Sequence, residues 1–134
     1  MTTPLSLIAR QAELLGLRVG LDTGGAALLF YTNTPPLLPD TATAETLLCS
    51  VLLASPSGAV GVAGLLATLT LTVPRIGTAL VTGQIGWARF VNGAGNGYMD
   101  LPVGLEGSGA PVIVSATQVY QNGEVQLISC VIAK

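Results

Sequence analysis

The chain contains no histidine. This removes the Ser-His-Asp and Cys-His catalytic arrangements, imidazole acid–base chemistry and histidine metal sites. Charge is scarce as well. Lys, Arg, Asp and Glu make up 9% of the 134 residues, where an ordinary soluble domain carries roughly 25%. The five basic residues, Arg10, Arg18, Arg75, Arg89 and Lys134, are scattered. No basic patch exists to neutralise a phosphate backbone, which argues against direct nucleic-acid binding. There are only two cysteines, Cys49 and Cys130, without a C-x-x-C spacing. They predict buried reduced thiols rather than a disulfide framework or structural zinc. Met1-Thr2-Thr3-Pro4 lacks the positive start and apolar run of a signal peptide, so the expected place of synthesis is a reducing cytoplasm.

What is abundant is apolar surface: 50% of the residues are hydrophobic, although only 4% are aromatic. Thr46 to Pro74 carries no charge at all. A membrane-spanning helix needs ~20 consecutive, mainly apolar residues, and here Pro56, Ser57 and Gly58 interrupt the run while its second half has period two. The expectation is no membrane span. With so few charges to cover a monomer, much of the surface is expected to be buried against partner proteins.

The length suits one domain, 1–134, with a helix over 3–16 and a β body over 17–134. Thr3 is the expected N-cap, Pro4 the first turn and Gly16 the stop. Leu17–Leu21 then reads as a short strand and Asp22-Thr23-Gly24-Gly25 as a turn. Strands are predicted over 26–32, 46–54 and 66–73, the last with Ala67, Leu69, Leu71 and Val73 on one face and threonines on the other. The prolines at 35, 36 and 39 make 33–45 an extended loop. Ala59–Gly64 reads as a flexible segment and Pro74–Gly77 as a turn. Gly83 to Gly109 holds the only Trp and many glycines: Trp87, Arg89 and Val91 share one strand face, Ala88 and Phe90 the other, and Asn92–Gly97 is a turn. A strand at 112–114, a hairpin turn at Gln121-Asn122-Gly123 and a last strand over 124–133 follow. About eight strands, one helix and no βαβ alternation predict an all-β fold, an antiparallel β-sandwich of jelly-roll type.

No catalytic residue, cofactor site or metal site is expected. Asp22-Thr23-Gly24 has the spelling of aspartic proteases, but Asp-Thr-Gly-Gly is also what a tight turn uses, and the turn is favoured. Gly93, Gly95 and Gly97 lack the spacing and lysine of a phosphate loop. Gly107-Ser108-Gly109 lacks the spacing of a nucleophile elbow. Asp100 and Glu106 read as solvated loop carboxylates. Trp87 with Arg89 could pack inside the protein, face a partner or hold a sugar, with internal packing favoured.

Several pieces are familiar in their order. They are the Gly24-Gly25 turn with Leu28-Leu29-Phe30-Tyr31-Thr32-Asn33 and the following prolines, then Glu45-Thr46-Leu47-Leu48 before an apolar strand, then Gly86-Trp87-Ala88-Arg89-Phe90, then Asp100-Leu101-Pro102-Val103-Gly104. Together they resemble a family of small virion proteins of tailed bacteriophages and prophages, over most of Leu21 to Ile132. Asn33 and Glu45 stand where that pattern has glycine, and Asn122-Gly123 stands near its usual Ala-Gly pair. The resemblance implies a capsid decoration, or cement, protein with a jelly-roll body that oligomerises with itself and clamps neighbouring major capsid protein subunits. Its place would be the virion surface after synthesis in the bacterial host cytoplasm. Tyr31, Pro35, Pro36, Trp87, Arg89 and Tyr98 are the candidate interface residues. The alternatives are a neck or tail component, an aspartic protease using Asp22, and a glycan-binding module using Trp87.

Overall fold

The computed structural model describes residues 5–134; the expected cap and first turn at Thr3 and Pro4 lie outside them. The helix α1 spans Leu7–Asp22, and the Ser6 side chain caps it by accepting from the Ala9 amide. It runs through Gly16, so the expected stop at Gly16 and the strand over Leu17–Leu21 are both overturned. The reason is energetic. A mid-helix glycine costs about 1 kcal/mol, whereas Leu14 and Leu21 are buried in the core and Leu17 packs against it, each contributing ~1.5–3 kcal/mol when fully buried. The helix ends at the Asp22–Gly25 turn, where the Gly25 amide donates to the Asp22 carbonyl and both glycines take positive φ.

Eleven strands follow: β1 Ala27–Tyr31, β2 Leu47–Leu52, β3 Gly58–Ala63, β4 Leu66–Leu71, β5 Arg75–Thr78, β6 Gly83–Gln84, β7 Trp87–Val91, β8 Gly97–Gly104, β9 Val112–Val114, β10 Gln118–Val119 and β11 Glu124–Ala133. The fold is all-β with one helix. Nine strands form one large sheet in the order β2-β1-β7-β8-β9-β11-β4-β3, with β5 also on β11, while β10 and β6 pair separately. The large sheet is mixed, because β8 and β9 run parallel; the purely antiparallel pairing expected from the sequence fails there. The sheet also curls. Cys49 of β2 bridges Ala79 just past β5, and the Leu80 amide donates to the Leu48 carbonyl at 2.7 Å. The path from β2 through β1, β7, β8, β9, β11 and β5 thus returns to β2, and the pairing does not divide into the two separate layers of a sandwich.

Inside this ring lie Leu28, Phe30, Leu48, Val51, Leu69, Ala88, Phe90, Val112, Val114, Val125 and Leu127, all buried. The charge-free stretch 46–74 supplies three strands, β2 to β4, and among the described residues no helix is long and apolar enough to cross a membrane. Four strands were not expected: β3, β5 and the two-residue pair β6 and β10. β3 reads Gly-Ala-Val-Gly-Val-Ala, weak in strand formers, and is made a strand by pairing with β4 around the Gly64-Leu65 turn. β5 is held by β11 despite the preceding Pro74. The turn at Gln121–Gly123 forms, with Asn122 at φ 67° and the Gly123 amide bonded to the Tyr120 carbonyl. The strands it joins go to different partners, so it is a turn without a hairpin.

Candidate functional site

β7 is buried on both faces. Alternation sends Ala88 and Phe90 into the core and Trp87, Arg89 and Val91 to the opposite side. On that side they meet the 32–46 loop between β1 and β2. Trp87 stacks on Tyr31, with ring centroids 4.7 Å apart and planes 17° apart, and its indole N–H donates to the Thr32 carbonyl at 2.9 Å. The Arg89 guanidinium lies 5.2 Å from the Trp87 ring centre. Its Nε and Nη2 donate to the two carboxylate oxygens of Asp100 on β8, at 2.7 and 3.0 Å, and its Nη1 donates to the Thr41 carbonyl at 2.7 Å. The Asp100 hydrogen bonds hold the Arg89 pKa above its ordinary value, against the opposing effect of burial. Asp100, expected as a solvated loop carboxylate, is instead half of a buried, two-pronged ion pair.

The loop is tied down at both ends. The Glu45 carboxylate accepts from the Thr32 hydroxyl and from the Asn33 side-chain amide, at 3.1 and 2.6 Å. Asn33 adopts φ 60°, a region glycine enters freely and asparagine more readily than most residues. At Gly86 and Gly97 the backbone of the loop approaches so closely, through the carbonyls of Asn33 and Pro39, that no Cβ would fit. Between the loop and the 92–97 turn lies a depression of about 410 Å³, lined by Pro39, Asp40, Ala42, Arg89, Gly95, Asn96 and Gly97.

The six candidate interface residues separate. Trp87 and Arg89 are 1% and 7% exposed, so they support the loop from beneath, and of the two only Arg89 reaches the surface, in the wall of the depression. This corrects the reading of Trp87 as an interface residue. Tyr31 is half-buried beneath the same loop. Pro35 is exposed and Pro36 partly so, on the loop's outer side. Tyr98 is 37% exposed, and its ring lies against Gly20 of α1. Asp22 sits in the last turn of α1, where both carboxylate oxygens accept from the Ser57 amide at 3.2 Å and Arg18 lies 3.9 Å away. These contacts give Asp22 a structural task, joining the helix end to the start of β3. Both cysteines are free and buried, and burial pushes the Cys49 thiol up to about 11 and the Cys130 thiol up to about 12.

Sequence reasoning missed where the accessible apolar groups are. Eighteen large hydrophobic side chains are exposed among the described residues, against five basic and seven acidic residues in the whole chain. Leu37 and Leu38 crown the 32–46 loop, Leu65 and Leu66 the β3–β4 turn, and Leu5, Ile8, Leu15 and Val19 the outer side of α1 and its approach. The available signal was the helix, whose apolar positions exceed what one buried stripe requires. No family model, curated protein or solved structure matches this chain.

Proposed function

We propose that this chain is a virion structural protein that binds the outside of a phage capsid and staples neighbouring major capsid protein subunits without chemistry. The carrying observation is the excess of exposed apolar side chains over charges, since contiguous apolar surface marks association sites. The order of motifs, which resembles that of small phage virion proteins, is what points to the capsid as the partner. Leu37 at 96% exposure and its neighbour Leu38 project from a loop anchored by the Arg89–Thr41 and Trp87–Thr32 bonds. A loop immobilised in this way loses little further freedom on binding, which favours affinity. Burying about 1,000 Å² or more per contact, at roughly 25 cal/mol per Å², opposes outward pressure on a shell, and the effect multiplies over many symmetric copies.

The test is copy number. The protein is expected to co-sediment with capsids of the phage or prophage that encodes it, at a stoichiometry near that of the shell protein. Leu37→Asp with Leu38→Asp is expected to abolish this without changing the fold. A few copies per particle would identify a neck or tail component instead, and absence from the particle would refute the reading.

A further inference from the structure

β3 ends the large sheet, and among the described residues no strand lies on its outer side. Natural edge strands are usually blunted by charge, proline or a bulge. β3 has none of these: Gly58-Ala59-Val60-Gly61-Val62-Ala63 is uncharged and pairs with β4 in unbroken register. Which backbone groups are free follows from that register. The Thr72 amide donates to the Ser57 carbonyl at 2.8 Å, and bonded pairs alternate along an antiparallel ladder. Ala59, Gly61 and Ala63 therefore bond inward to β4. Val60 and Val62 turn their N–H and C=O outward. The next outward carbonyl, Gly58, is already taken by Arg18 at 3.3 Å.

The free part of this strand is a palindrome, Ala-Val-Gly-Val-Ala, centred on Gly61. The geometry points to pairing with β3 of a second copy of this chain, antiparallel, about a two-fold axis midway between the two Gly61 residues. In that register Val60 faces Val62 of the second copy and Ala59 faces Ala63. The outward groups of Val60 and Val62 meet each other's, forming two bonded pairs, and Gly61 meets Gly61 in a non-bonded pair. A register one residue away would set outward groups against inward ones.

The helix supplies a second, independent reason for choosing this occupant. Gln11 and Arg18 of α1 reach the Gly61 and Gly58 carbonyls, at 3.4 and 3.3 Å, so that flank of the helix lies along β3. Arg10 and Glu13 point the other way, to the Lys134 carbonyl and ammonium. Ile8 and Leu15 stand one turn either side of Gln11, and Val19 one turn beyond Leu15. These three are 78%, 45% and 57% exposed, with the small Ala12 and Gly16 among them. This apolar stripe borders the free edge. The two-fold axis that joins the strands places both helices on one face of the extended sheet, stripe to stripe. A two-fold contact must be complementary to itself, and an apolar surface is; the stripe and β3 carry no charged residue of their own, and Arg18 and Asp22 beside them lie 3.9 Å from each other. The inference deepens the homo-oligomer part of the proposed function and does not depend on the capsid partner.

Three measurements test it. Light scattering on the full chain is expected to give twice the chain mass. Gly61→Cys, whose Cβ meets only the Thr68 hydroxyl at 3.6 Å, is expected to form a covalent dimer on mild oxidation, because facing Cα atoms in a non-bonded pair lie about 4.5 Å apart, within disulfide range. Ala59→Cys or Ala63→Cys alone should not cross-link, whereas a mixture of the two should. Val60→Pro, which removes an outward N–H and no bond to β4 but also trims the side chain's packing on the core, and Leu15→Lys, on the exposed stripe, should each reduce the mass to that of one chain with an unchanged circular dichroism spectrum. A monomeric parent protein, or failure of Gly61→Cys to cross-link, would overturn the inference. An oligomer untouched by Val60→Pro and Leu15→Lys would overturn this surface while leaving self-association standing, and capsid co-sedimentation reports on the virion reading separately.

Discussion

Arg89 illustrates how one residue can be legible in type and misread in role. Its place beside Trp87 on a strand face follows from alternation alone. Its partner, Asp100, lies eleven residues away across the β7–β8 hairpin, opposite it in register. Both side chains are 8% exposed. Removing one member of such a pair leaves a buried charge unmatched. Asp100→Asn is expected to lower the unfolding free energy by ~3–5 kcal/mol, whereas Arg89→Met combined with Asp100→Leu should lose much less, because a well-packed apolar pair replaces a buried ion pair at little cost. Urea denaturation of Asp100→Asn and of the double variant measures this.

The cysteines give a second prediction at this scale. Both thiols have folded-state pKa values raised by burial, to about 11 and about 12, from an ordinary 9.0. The unfolded chain therefore releases its thiol protons first as pH rises through 9. Stability from this source is fully present below pH 9 and falls between pH 9 and about 12. The same burial predicts that the native protein resists a thiol-specific disulfide reagent at neutral pH, while the denatured protein reacts at both positions.

Among the elements, the 32–46 loop shows what a sequence pattern can and cannot convey. Its three prolines exclude regular structure. They do not reveal that the loop lies down on β7 and β8, which Gly86 and Gly97 permit by having no side chain. Gly86→Ala and Gly97→Ala are each expected to destabilise by about 1–3 kcal/mol through overpacking. They should also speed proteolysis within 33–45, read by mass spectrometry of the first cleavage products. The helix carries the opposite lesson. Its apolar residues were visible, but its end was misplaced at Gly16. Local propensity disfavours a glycine there, and only the packing of Leu17 and Leu21 beneath it carries the helix on to Asp22.

For the whole molecule, the relevant quantity is the balance between exposed apolar groups and charge. Self-association through the β3 edge and the α1 stripe involves no ion pairs, so it should not weaken in high sodium chloride and should strengthen in ammonium sulfate, which favours apolar burial. Sedimentation across a salt series checks this; a dimer that dissociates as salt rises would contradict an apolar contact.

Composition and local pattern by themselves determined that this chain is all-β with one helix, that its cysteines are buried thiols, that β4, β7, β9 and β11 are strands, and which faces β4 and β7 present. Those features follow from alternation and residue type, which act over a few residues. The tertiary structure alone decided that β8 and β9 run parallel, that the sheet curls until β2 meets the residue after β5, and that β3 is a strand with a free edge. Each depends on hydrogen bonds whose partners are supplied by distant parts of the chain or by a neighbouring strand's register. The sequence of one segment does not contain the identity of its partner, and the backbone groups that pair are the same in every residue but proline.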